Sequence, residues 1–179
     1  PKMTVIHPCD DISAEELTAQ LLGLNGPSYM RTTRNKVPRM YEDGEKLRIG
    51  EGSVLKEGND LAIFSCGVMV GEAMEASETL SSEGIDCTVV DMHTIKPLDE
   101  NLISELAMRC GCFVSAEDHS VVGGLGGALS EWIAANNPIP LEMVGVKDIF
   151  GQSGGSSELM EMMGLTQSDI CEAARRSLG

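Results

Sequence analysis

Hydrophobic and polar positions divide the chain into an irregular front third and a regular remainder. Met3-Thr-Val-Ile6 is a short apolar run that reads as a buried strand, closed at His7-Pro8, where the proline disfavours helix. Ser13-Ala-Glu-Glu16 fits a capping box, and Leu17, Leu21 and Leu22 supply an apolar stripe behind it, so a helix is predicted there. Asn25-Gly26-Pro27 breaks it, and Ser28 to Thr33 reads as a second short strand. A strand–helix–strand alone cannot bury both faces of its sheet. Residues 1–35 are therefore expected to be the edge of a larger domain. Residues 36–58 are charged, carry Pro38, Gly44, Gly50, Gly52 and Gly58, and lack long apolar periodicity. They read as a linker with a short strand or two.

From Asp60 the pattern alternates. Leu61 to Phe64 is a buried strand, and Val70, Ala73, Met74, Ser77 and Leu80 recur at helical spacing until Gly84. Cys87 to Val90 is the next strand, and Asp99 can cap a helix bearing Leu102, Ile103, Leu106 and Ala107. Cys112 to Ser115 is a third strand, followed by a glycine-rich turn and a helix from about Leu125 to Ala135. Pro140 to Val146 is a fourth strand, and Thr166-Gln-Ser-Asp169 caps a final helix carrying Ile170, Ala173, Ala174 and Leu178. The fold class is α/β: residues 59–179 form a mostly parallel sheet with helices on both faces, preceded by the strand–helix–strand.

Composition then narrows the function. Apolar residues make up 42% and charged residues 23% of the 179, the balance of a soluble globular protein. Aromatics are only 3% against 11 methionines, so the core is aliphatic and offers few stacking platforms for bases. A formal charge of -15 repels phosphate backbones and anionic membranes, which argues against nucleic acid or a membrane as partner. No apolar run approaches the ~20 residues of a membrane span, and the start has no signal-peptide pattern, so the expected location is cytoplasmic. The six cysteines contain no Cys-x-x-Cys and read as buried reduced thiols.

Three features carry candidate chemistry. Gly123-Gly-Leu-Gly-Gly127 opens a helix after a strand, where phosphate could sit. It departs from the dinucleotide fingerprint because Leu129 stands where the third glycine would fall, and Glu117 and Asp118 before it disfavour an anion. Close packing, or backbone approach to a neighbouring subunit, is the expected role. Met30-Arg31-Thr-Thr-Arg34-Asn-Lys36 is the densest basic patch; a guanidinium at a strand end suits bidentate capture of phosphate or carboxylate, but by residue type alone a solvated or salt-bridged arginine is the expected reading. Arg31 and Arg34 face opposite ways unless the strand has already ended. The histidines His7, His93 and His119 are far apart in sequence, lack metal or triad spacing and are expected in hydrogen-bonding or surface roles, although His7 and His119 fall at predicted strand ends, where sites often lie. The loop Lys147-Asp-Ile-Phe-Gly-Gln-Ser-Gly154 precedes a helix and defines no chemistry by itself.

The stretch Asp60–Val70, the run His93-Thr-Ile-Lys-Pro-Leu-Asp99, the block Glu117-Asp-His-Ser-Val-Val-Gly-Gly-Leu-Gly-Gly127 and the loop Asp148-Ile-Phe-Gly-Gln-Ser-Gly154 come in one order. In that order and spacing the chain resembles the transketolase family, most closely the C-terminal subunit of split, two-subunit transketolases. The Thr-Ile-x-Pro-Leu-Asp run and the glycine block are also similar to 2-oxo acid dehydrogenase β subunits. The Asp-x-Phe-Gly-x-Ser-Gly loop points to transketolases and deoxyxylulose-phosphate synthases.

The resemblance implies that residues 59–179 are the family's C-terminal domain and that residues 1–35 are the last strand–helix–strand of its pyrimidine-binding domain. It implies an assembly that moves two-carbon ketol units between sugar phosphates with thiamine diphosphate and Mg, neither of them expected on this chain alone. The glutamate that activates the cofactor and an Asp-Gly-Pro-Thr-His type motif would lie ahead of this chain, so no catalytic residue is expected within it. The one family site residue carried over is Arg34, counted from Gly26-Pro27, as the contact to a sugar phosphate. The partners implied are an N-terminal transketolase subunit or domain and a second copy of this chain. The alternatives are a deoxyxylulose-phosphate synthase, a 2-oxo acid dehydrogenase β subunit, or a non-catalytic interaction module.

Overall fold

The computed structural model describes residues 1–179. Four strands, β4 (Leu61–Ser65), β5 (Cys87–Asp91), β7 (Phe113–Ser120) and β8 (Leu141–Val146), pair in parallel in the order β5-β4-β7-β8. Strand β3 (Ser53–Lys56), from the segment expected to be a linker, closes this sheet at one edge by antiparallel pairing with β5. β4 and β5 are buried at every position, as a parallel sheet covered on both faces requires. Side-chain alternation assigns the faces. Leu61 and Ile63 pack under α2 (Met69–Ser82) and α6 (Gln167–Leu178), with Ala73, Leu80, Ile170 and Ala174. Ala62 and Phe64 pack on the other side under α3 (Glu100–Arg109) and α4 (Leu125–Asn136), where the rings of Phe64 and Phe113 meet edge to face at 4.8 Å. Asp99 caps α3 and Thr166 caps α6, as their spacing predicts. A short helix, α5 (Ser156–Met163), follows the loop after β8 and buries none of its residues fully.

The front segment forms β1 (Thr4–Ile6), α1 (Asp11–Leu21) and β2 (Ser28–Met30), with β2 parallel to β1. It is not isolated. β6 (Thr94–Lys96), which periodicity does not reveal, pairs antiparallel with β1 and ties a three-stranded sheet to the chain after β5. Ile6, Leu17, Tyr41, Leu47 and Val70 bury together between α1, the 36–52 segment and α2.

Local boundaries differ from expectation at two places in the front segment, and β7 runs on to Ser120 beyond the expected Ser115. The capping box of α1 sits one turn early: Ser13 N–H donates to Asp10 Oδ1 at 2.8 Å and Ser13 Oγ accepts from Asp10 N–H at 3.0 Å. With the helix ending at Leu21, Leu22 becomes its C-cap and is 89% exposed rather than part of the stripe. Strand β2 stops at Met30, so Arg31 to Thr33 are already outside it. All six cysteines are free and buried, and no helix is long and apolar enough to cross a membrane.

Candidate functional site at the junction of the two sheets

The C-terminal ends of β4 and β7 meet the end of β1, the position where open parallel sheets carry their sites. The backbone sets the junction first. His7 N–H donates to the His93 carbonyl at 2.8 Å, and Gly67 N–H donates to the His7 carbonyl at 3.2 Å. Gly67 has φ 59°, and a Cβ there would lie 2.2 Å from the His7 ring, so only glycine fits. Arg31 N–H donates to the Ile6 carbonyl at 3.0 Å, the last backbone tie of the strand it follows.

Side chains complete the junction. Arg31 Nη2 donates to Asp118 Oδ2 at 2.9 Å, joining the front segment to β7 across 87 positions. The other oxygen, Asp118 Oδ1, is buried without a hydrogen bond, 3.9 Å from His7 Nε2. Burial first, then the Arg31 guanidinium and the proximity of His119, push His7 down to about 4, so the imidazole is neutral at physiological pH. Burial also raises Asp118, against the pull of Arg31. A cavity of about 110 Å³ lies here, with His7, Arg31, Cys66, Glu117 and His119 in its wall. His7 and His119, remote in sequence, thus converge, while His93 contributes its backbone carbonyl. The 147–154 loop is not in this wall.

The glycine-rich turn is not a vacant phosphate cradle. The Glu117 carboxylate occupies the start of α4, accepting from Leu125 N–H at 2.7 Å and Gly126 N–H at 2.8 Å. A protein carboxylate therefore already meets the positive end of the helix dipole. A Cβ on Gly124 would fall 2.0 Å from Glu117 Oε2, which explains the glycine by close approach. Packing is the role the turn was expected to have.

Arg34 lies apart from this cluster, exposed in the loop between β2 and Tyr41. Every other arginine has a carboxylate partner: Arg31, Arg39, Arg48, Arg109, Arg175 and Arg176. Beside the loop is an open cleft of about 450 Å³ between Thr32, Thr33, Asn35 and Lys36 and the start of α1; Arg34 is not among its walls. Sequence reasoning singled out Arg34 and gave Asp118 no part in holding Arg31. The only available signal was an acidic pair at a strand end, which says nothing about which arginine it meets.

A second polar contact was also missed. Tyr41 Oη donates to Asp91 Oδ2 at 2.8 Å, in full burial, pinning the 36–52 segment to the end of β5. Burial pushes Asp91 up to about 7, and its Oδ1 has no partner.

Residues 50–170 match the family described as "Transketolase, C-terminal domain". Over 174 residues the chain is 41% identical to a 6-deoxy-6-sulfo-D-fructose transketolase subunit of a Clostridium species, covering 97% of this chain and 54% of that one. It is 37% identical over 179 residues to the 1-deoxy-D-xylulose-5-phosphate synthase of Rippkaea orientalis, covering 96% of this chain and 28% of that one. A solved structure titled "Split gene transketolase, inactive beta4 tetramer" superposes with TM-score 0.97 at 40% identity, covering 99% of this chain and 58% of that one. The chain thus spans about half the length of the split relatives it resembles.

Proposed function

Because this chain belongs to the transketolase family, we propose that it supplies the C-terminal component of an enzyme that transfers two-carbon ketol units between sugar phosphates, with Arg34 as the phosphate anchor. The observation that carries the anchor is the free guanidinium. In a chain of net charge -15, one arginine is exposed and unpaired while the other six are neutralised. It follows the end of a strand, on a loop flanked by hydroxyl and amide side chains, and can present two parallel N–H donors to a phosphate.

Enzymes of this family use thiamine diphosphate and a divalent metal. The residues of this chain do not fit that group. No three His, Cys, Asp or Glu side chains converge as ligands, and the glycine-rich helix start is filled by Glu117. In this reading the cofactor is held by the rest of the assembly, an N-terminal region or partner subunit, and a second copy of this chain completes a cytoplasmic oligomer. This chain binds and positions; the bond-making steps belong elsewhere.

Assay of the full assembly tests the anchor. Arg34→Ala is expected to raise the KM for phosphorylated sugars about tenfold or more, with a smaller change in kcat. An unchanged KM would sink the assignment. The likeness to the Rippkaea synthase favours one second reading, deoxyxylulose-phosphate synthesis. Carbon dioxide release from pyruvate with glyceraldehyde phosphate, and no ketol transfer, would select it.

A further inference from the structure

The loop bearing Arg34 is tied very differently at its two ends. At its exit, Met40 N–H and Tyr41 N–H both donate to Asp10 Oδ2, at 2.9 and 3.1 Å, and Arg39 pairs with Asp11. At its entry the backbone tie is Arg31 N–H to Ile6, and the side-chain tie is the Arg31 guanidinium on Asp118. Asp118 belongs to β7, within the region that matches the family's C-terminal domain. Arg31 and His7 are the front-segment side chains that approach Asp118 of the five-stranded sheet.

We infer that Asp118 is a positioning residue for phosphate recognition: through Arg31 it fixes the entry of the 32–39 loop, and so the place from which Arg34 reaches the substrate. The inference rests on the anchor role proposed for Arg34, and gives the C-terminal domain a part in substrate affinity beyond packing. Three features support it. Arg31 is committed to Asp118 and half-buried, which leaves the exposed Arg34 to meet a ligand and makes the two arginines keeper and anchor. His7 is neutral at physiological pH, and Arg31 is the one side chain that hydrogen-bonds to Asp118. A purely packing role would also be filled better by a neutral side chain, because the second carboxylate oxygen is buried without a partner.

The test uses the complete enzyme with a phosphorylated and an unphosphorylated ketose donor. Asp118→Asn keeps the shape and removes the charge. It is expected to raise KM for the phosphorylated donor about fivefold, with kcat within about twofold and the unphosphorylated donor unaffected. Arg31→Lys keeps the charge and loses the planar fork, so a smaller rise in the same KM is expected; it carries the test if Asp118→Asn does not fold. Asp118→Glu is expected to recover part of the loss. Equal effects on both donors, or a fall in kcat alone, would mean a structural role only and overturn the inference, as would no effect. If Arg34→Ala raises KM and Asp118→Asn does not, the positioning inference alone fails. If Arg34→Ala is silent, the anchor fails and the inference with it.

Discussion

Asp91 shows how one buried carboxyl couples stability to pH. In the folded chain burial holds its pKa at about 7, from an ordinary value of 3.8, and the Tyr41 hydroxyl offsets this only in part. Between about pH 4 and 7 the folded state keeps a proton that the unfolded chain has released. This group therefore removes stability as pH rises through that window, and adds nothing further above it. Asp91→Asn keeps an acceptor for Tyr41 and has no proton to lose. Relative to the parent, the variant is expected to gain as much as about 4 kcal/mol between pH 4 and 7. Urea denaturation at pH 4.5 and pH 7.5 reads the difference, and parallel pH profiles would refute it. Burial raises Glu117 as well, but two backbone N–H groups at a helix start oppose the shift and satisfy both of its oxygens. Its neighbour Gly124 exists to leave room for it.

At the scale of elements, α1 is placed by Asp10 rather than by Ser13. One Asp10 oxygen caps the helix at Ser13 N–H, and the other accepts Met40 and Tyr41 N–H from the returning chain. That second task is invisible to local pattern. Ser13-x-x-Glu16 satisfies the same box, and only the tertiary partner selects the earlier start. Asp10→Ala should therefore cost more than a lone cap, about 3 kcal/mol against about 1, because two backbone donors lose their acceptor as well. Asp10→Asn should recover only part, since its amide nitrogen cannot accept. Thermal and urea unfolding of the two variants measure this; a loss of about 1 kcal/mol for Asp10→Ala would show that the strap is held otherwise. Strand β6 escapes pattern reading for a related reason: three residues are too few to show a period, and pairing with β1 alone makes them a strand.

At the scale of the molecule, the two sheets meet closely at Gly67 and His7. Gly67 stands against the His7 ring with a positive φ, and the His7 backbone bonds to residues of the other unit on both sides. Gly67→Ala brings a methyl into the ring and a disfavoured backbone conformation, an expected loss of about 2 kcal/mol or more. The loss should be local. Hydrogen exchange at residues 4–6 is expected to speed up while residues 61–65 keep their protection. Uniform loss across both would mean that the units unfold as one.

Sequence alone determined the strand–helix alternation from residue 60 onward, because β4 and β5 are built on short apolar runs and α2, α3 and α6 carry helical stripes. It singled out Arg34 only through the family resemblance, counted from Gly26-Pro27, because the residues alone show no more than a basic patch. Tertiary structure decided what depends on contacts between distant residues: that Asp118 takes Arg31, that Glu117 fills the helix start beside the glycines, and that Asp10 and Asp91 hold the 36–52 segment. The physical reason is range. Periodicity and capping act over four or five positions, whereas the Arg31–Asp118 bond joins residues 87 apart and exists only once both sheets have formed.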